Sequence, residues 1–187
     1  MSLFRLIQIA PPPKAPLENG SPKKWRIVKE HLGIPLPEDY KAFIDCYGTG
    51  TFNNFILVYN PFAAHEDANL FQIIDTHHQA KRHTRLRGDP LWSVVAPFEL
   101  FPESVGLLPW GTTPDFDISF FWQVSGSPDT WVTIVYNLRV GEYEVWKMPC
   151  TSFLSKLFLR EIESVLLPDH FPPDPDQIYF AQTGIQP

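Results

Sequence analysis

From Ser21 onward apolar residues recur at helical spacing. Trp25, Val28 and Leu32 lie three and four residues apart, Ser21 stands where an N-cap belongs, and Pro22 takes the first helical position. Gly33 and Pro35 end that helix. A second helix is predicted from about Pro37, with Tyr40, Phe43, Ile44 and Tyr47 at i, i+3, i+4 and i+7 as one buried stripe. Glu38 and Asp39 suit its positive N-terminal end, and Gly48 its stop. Gly50 then eases the turn into a β-branched and aromatic strand over 52–59, closed by Asn60-Pro61. Residues 65–87 read as a third helix, stopped by Gly88-Asp89-Pro90.

Beyond that point the period changes from helical to two. Short strands are predicted over 92–96, 107–110, 116–124, 131–136 and 143–148, the last three joined by short turns as an antiparallel meander. Thr151 or Ser152 caps a final helix carrying Phe153, Leu154, Leu157, Phe158, Ile162, Val165 and Leu166. The pattern predicts an α+β fold: a mostly antiparallel, twisted sheet of about five to six strands flanked by N-terminal, central and C-terminal helices. Residues 21–167 form the single domain. Residues 1–20, with Pro11, Pro12, Pro13 and Pro16, read as an extended arm, and 168–187 as a Pro/Asp-rich tail without a packed element.

Composition narrows the class. With 44% hydrophobic and 14% aromatic residues in 187, the chain has the material for a folded core rather than a disordered segment. No apolar run approaches the roughly 18 residues of a membrane span. The first residues lack the apolar core and cleavage site of a signal peptide, and Cys46 and Cys150 form no disulfide framework, so a reduced cytoplasmic setting is expected. Residues 1–97 carry 11 Lys and Arg against 9 Asp and Glu, a balance of +2, whereas 98–187 carry 4 against 12, a balance of −8. An acidic half repels nucleic-acid phosphates and suits a basic partner.

The search for reaction chemistry yields little. There is no G-x-S-x-G, no P-loop and no G-x-G-x-x-G after a strand. Cys46 lies more than about 100° around its helix from the apolar stripe and reads as a packing residue. His77 and His83, or His78 and His83, are six and five apart and share no helical face, so the third helix reads as a solvated face rather than a metal site. Asp115/Asp117 and Glu142/Glu144 stand at i, i+2, each pair on one side of a strand. No cofactor and no metal are expected.

The same alternation suggests a surface. Phe116, Ile118, Phe120, Trp122 and Val124 share one face, and Phe121 falls on the other. If Tyr143 and Val145 also turn toward the helices, the exposed face collects Glu142, Glu144 and Trp146 with Asp115, Asp117, Phe121 and Asp129. Acids around large aromatics resemble a protein-binding surface, with Phe121 or Trp146 as its anchor.

Several segments together carry a family resemblance. Trp25 in the first helix, Leu36-Pro37-x-Asp39-Tyr40-Lys41-x-Phe43, then Tyr47-Gly48-x-Gly50, resemble the N-terminal signature of the SUKH superfamily. Pro109-Trp110-Gly111, the strand around Phe121-Trp122, Ser127-Pro128-Asp129-x-Trp131 and Ser152-Phe153-Leu154 follow in the same order, over roughly 22–167. The resemblance implies an α+β domain. It also implies a non-enzymatic role: neutralising a cognate polymorphic toxin, a nuclease among the classes, by covering its functional surface. The alternative is a regulatory scaffold of the Smi/Knr type.

Overall fold

In the computed structural model, which describes residues 2–87, 98–115 and 117–183, five α-helices surround one seven-stranded antiparallel sheet. The helices are α1 (Ser2–Ile9), α2 (Pro22–Leu32), α3 (Glu38–Tyr47), α4 (Leu70–Arg87) and α5 (Cys150–Phe158). The strands are β1 (Gly50–Phe52), β2 (Ile56–Val58), β3 (Leu107–Thr112), β4 (Ile118–Gln123), β5 (Val132–Asn137), β6 (Tyr143–Trp146) and β7 (Phe180–Gln182), in spatial order β6-β5-β4-β3-β2-β1-β7. The α+β expectation holds, with one or two strands more than expected. The strand predicted over 92–96 lies outside the described residues.

The local signals of α2 and α3 work as read. Ser21 Oγ accepts the Lys24 N–H at 3.3 Å, and Gly33 ends α2 in the left-handed region at φ 75°. Tyr40, Phe43, Ile44 and Tyr47 are all buried. Gly48, at φ 69°, has room only for hydrogen on its α-carbon: a Cβ there would come within 2.0 Å of the Leu17 carbonyl oxygen.

The strand predicted over 52–59 is instead a hairpin. Asn53 and Asn54 both stand at φ 51°, the backbone of a tight turn, so β1 folds back on β2 with Phe52 opposite Ile56. In β3 the register shifts between Pro109 and Gly111, and Trp110 between them is fully buried.

Both ends of the chain are corrected. The expected arm begins as α1, which packs on α5 through buried Leu6 and a Ser2 Oγ–Thr151 Oγ1 hydrogen bond of 2.8 Å, and pairs Arg5 with Glu161 just beyond that helix. Leu3, Leu6 and Ile7 supply a helical stripe, and Pro11–Pro13 only end it. The expected unpacked tail buries Phe171 and Ile178 and adds β7 to β1, where the Phe180 ring meets Phe43, Tyr47 and Phe52 at 4.9–6.2 Å. Its prolines fit the bends between these anchors. The last helix also stops early, at Phe158. Arg160 takes φ 55°, and its guanidinium bonds Asp174 and the Pro172 carbonyl. Ile162, Leu166 and Leu167 still pack on the core, from irregular backbone.

Candidate functional site: the outer sheet face and its acidic edge

The sheet has two unequal faces. One carries the main core, where Trp110, Phe120 and Trp122 meet Phe153 and the α3 stripe. The other carries a smaller cluster of Leu100, Leu107, Phe121, Ile134 and Tyr136. Its partial cover is α4, which buries Leu70 and Ile73 in the main core and brings two histidines to this side. The His77 ring lies 5.3 Å from Phe121, and His78 Nε2 is 2.7 Å from the Phe101 carbonyl oxygen. The helix expected to present a solvated histidine face therefore turns His77 onto the sheet and His78 onto the loop that leads into β3. Burial, with His78 beside it, pushes the His77 pKa down to about 4. Between α4 and the sheet a cleft of about 540 Å³ opens, edged by Tyr59, Glu66, Asp67, His77 and Ser119. Among the described residues no three His, Cys, Asp or Glu come together as a metal site.

Register decides where the seven candidate residues fall. Residues directly opposite one another share a face, and the sheet sets Phe121 against Ile134 and Ile134 against Val145. Tyr136 likewise stands against Tyr143, so Tyr143 and Val145 belong to the outer face. Trp146, opposite Thr133 and thereby Trp122, belongs to the core face, and so does Glu144 opposite Val135. The expected grouping of Phe121 with Glu144 and Trp146 on one exposed face is corrected. Tyr143 and Val145 are the more apolar pair of β6, yet register puts them on the outer face, where they stay 42% and 47% exposed at the end of the sheet.

The side chains have divided employment. Phe121 is buried and part of the fold. Trp146 packs its ring 5.8 Å from Phe153 and donates Nε1–H to Glu144 Oε2 at 3.0 Å, while Glu144 Oε1 accepts the Val165 N–H at 2.8 Å. Asp117 pairs with Arg139 at 2.6 Å. Asp115 accepts the Thr113 hydroxyl at 2.6 Å, the main cause that holds its carboxyl below the usual range. Asp129 Oδ1 accepts the Glu38 N–H at 2.8 Å and so caps α3 from another element. Glu142 is exposed.

Sequence reasoning missed Asp39. Rather than serving only the α3 dipole, its Oδ2 accepts the Thr151 N–H at 3.1 Å and the Thr151 hydroxyl at 2.7 Å, capping α5. The Cys150 thiol, 3.6 Å from the same oxygen, is buried and its pKa is pushed well up by that burial. Cys46 is half-buried against the core, its thiol pKa also raised by burial.

An α+β domain with this order of elements is the class that the fold defines. The family model described as SMI1-KNR4 cell-wall, of the SUKH superfamily, matches residues 22–154, and the chain belongs to that family. Neither a curated protein nor a solved structure matches the chain. The matched span runs from α2 into α5 and leaves out α1 and β7.

Proposed function

We propose that this protein acts in the cytoplasm by binding rather than by turnover, as an immunity-type protein that covers the functional surface of a toxin domain with a basic surface. One observation carries the reading: the balance of −8 over residues 98–187, with acid at the end of the sheet, where Glu142 and Glu144 alternate with the outward Tyr143 and Val145. Such a field attracts a basic protein, speeds encounter and repels phosphate backbones. Membership of a SUKH family fits this role, as the superfamily includes bacterial immunity proteins. A binding role also agrees with the state of the reactive groups. Both thiols are held protonated by burial, and His77, with a pKa of about 4, is a weak base at neutral pH.

The test is co-expression with the toxin domain encoded beside this gene. Growth rescue and a stoichiometric complex on size exclusion are expected; a toxic domain left active, with no complex, overturns the reading. The description of the matched family as cell-wall favours a second reading, a Smi/Knr-type regulatory scaffold. That reading would show a stable complex with a non-toxin partner and no rescue.

A further inference from the structure

We infer that the edge of the sheet at β6, which pairs with no further strand among the described residues, takes up an extended, basic segment of the partner as an added antiparallel strand. This deepens the binding role proposed above and rests on it.

The hydrogen-bond pattern fixes which backbone groups of β6 are available. The Asn137 N–H donates to the Glu142 carbonyl at 2.8 Å, so Asn137 and Glu142 form a hydrogen-bonded pair. In an antiparallel ladder bonded and non-bonded pairs alternate. Val135/Glu144 and Thr133/Trp146 are then bonded pairs, and Tyr136/Tyr143 and Ile134/Val145 are not. The far side of β5 agrees: the Leu138 N–H donates to the Asp117 carbonyl at 2.8 Å, which puts Tyr136 and Ile134 in bonded pairs with β4. The N–H and C=O groups of Tyr143 and Val145 therefore point away from the sheet. Their side chains rise on the outer face at 42% and 47% exposure.

The two edges of the sheet differ in protection. At the other end β7 is three residues long, and the Gln182 amide is tied to the Ala15 carbonyl at 2.9 Å. Strand β6 has neither a proline nor a lysine within it, and it carries the exposed apolar pair Tyr143 and Val145. Such an edge pairs with a further strand unless something blocks it.

Charge selects the occupant. A second copy of this chain brings its own net charge of −6 to an edge already carrying Glu142 and Glu144, and a two-fold pairing centred on residue 144 sets Glu144 against itself. A segment with alternating apolar and basic residues meets both faces at once. Its apolar positions lie beside Tyr143 and Val145, and its Lys or Arg positions reach the side of Glu142 and Glu144. Lys147 lies just past the end of β6 and marks the limit of the acidic strip.

Val145→Pro tests this with little disturbance, because it removes an outward N–H and leaves the β5 ladder its own bonds. Two probes separate the edge from the toxin reading. The first is an acetylated peptide of alternating Lys and Val, against its Glu–Val counterpart. The Lys peptide is expected to shift the amide resonances of Tyr143 and Val145 and to lose at least about tenfold in affinity in Val145→Pro and Val145→Lys, but not in Gln182→Pro at the β7 edge. The Glu peptide is expected not to bind. Shifts confined to other elements, equal binding of both peptides, or affinity unchanged in both Val145 variants would overturn the proposal. The second probe is the neighbouring toxin domain. A complex that wild type forms and both Val145 variants lose, at unchanged melting temperature, supports the edge. A complex indifferent to both variants removes the edge and keeps the toxin reading. If wild type forms no complex, the toxin reading falls, and the peptide arm still decides whether β6 accepts a basic strand.

Discussion

Acidic residues gather in two regions of this molecule and do opposite work there. At the junction of α3 with α5, Asp39 caps Thr151 and Asp129 caps Glu38, so each carboxylate is turned inward onto a backbone N–H of a different element. At the β6 edge the Glu142 carboxylate has no hydrogen-bond or ion-pair partner among the described residues. Among those residues Glu144 is held by the neutral donors Val165 N–H and Trp146 Nε1–H. Carboxylates bound by helix N-termini are fixed parts of the fold, whereas carboxylates left with their charge uncompensated set the field that a partner meets. Net charge alone counts both kinds equally, and the comparison shows why it is a poor guide to where a partner docks.

Substitutions can break this contrast. The largest effect is expected at Phe121, which the sequence pattern offers as a binding anchor and the fold buries against His77 and Tyr136. Phe121→Ala should cost about 3–5 kcal/mol in urea denaturation, the range for a buried phenylalanine. A loss of partner binding with stability intact would return Phe121 to the surface.

Asp39→Ala should follow at about 2–3 kcal/mol, since it frees the Thr151 N–H and hydroxyl at a half-buried site while folded protein still binds. A melting curve matching wild type would show that α5 does not need this cap. An acid-dependent loss comes next. The folded His77 pKa, about 4, lies below the ordinary 6.5, so the unfolded chain binds the proton more tightly between those values. The stability tied to neutral His77 is complete above about pH 6.5 and is lost as pH falls toward 4. His77→Gln should flatten that part of the stability–pH profile, and identical slopes in the two proteins would refute it.

The smallest effect on stability belongs to Glu142. Glu142→Ala should change unfolding free energy by no more than about 0.5 kcal/mol, as exposed sites do, yet slow partner association and reduce its salt dependence. If Glu142→Ala instead destabilises as much as Asp39→Ala, the division between inward and outward acids fails.

Legibility of the fold followed the range of the forces involved. The stripe Tyr40, Phe43, Ile44 and Tyr47, the Ser21 cap and the Gly33 stop are set by neighbours within a turn or two, and each could be read locally. The Asn53-Asn54 turn left only a weak signal, because two asparagines allow a left-handed backbone without demanding it. At α1 the prolines after Ala10 drew the reading toward an arm, although Leu3, Leu6 and Ile7 already held the helical period. At β7 a three-residue strand amid prolines is too short to show a period at all. Of the candidate site, the acidic character of the second half was legible and the arrangement of its residues was not.

The sequence by itself determined the family, the α+β class and the order of the core elements, because periodicity and turn chemistry act through near neighbours. It also determined that each strand has two faces. Which face of β6 looks outward, and which carboxylates are consumed as caps, only the tertiary structure decided. Alternation is symmetric under exchange of faces, and the choice falls to cross-strand register: Val145 stands beside Ile134 and Phe121 on the outer face, and Trp146 beside Thr133 and Trp122 over the core. Asp39 and Thr151 are 112 residues apart, a contact that no local pattern encodes.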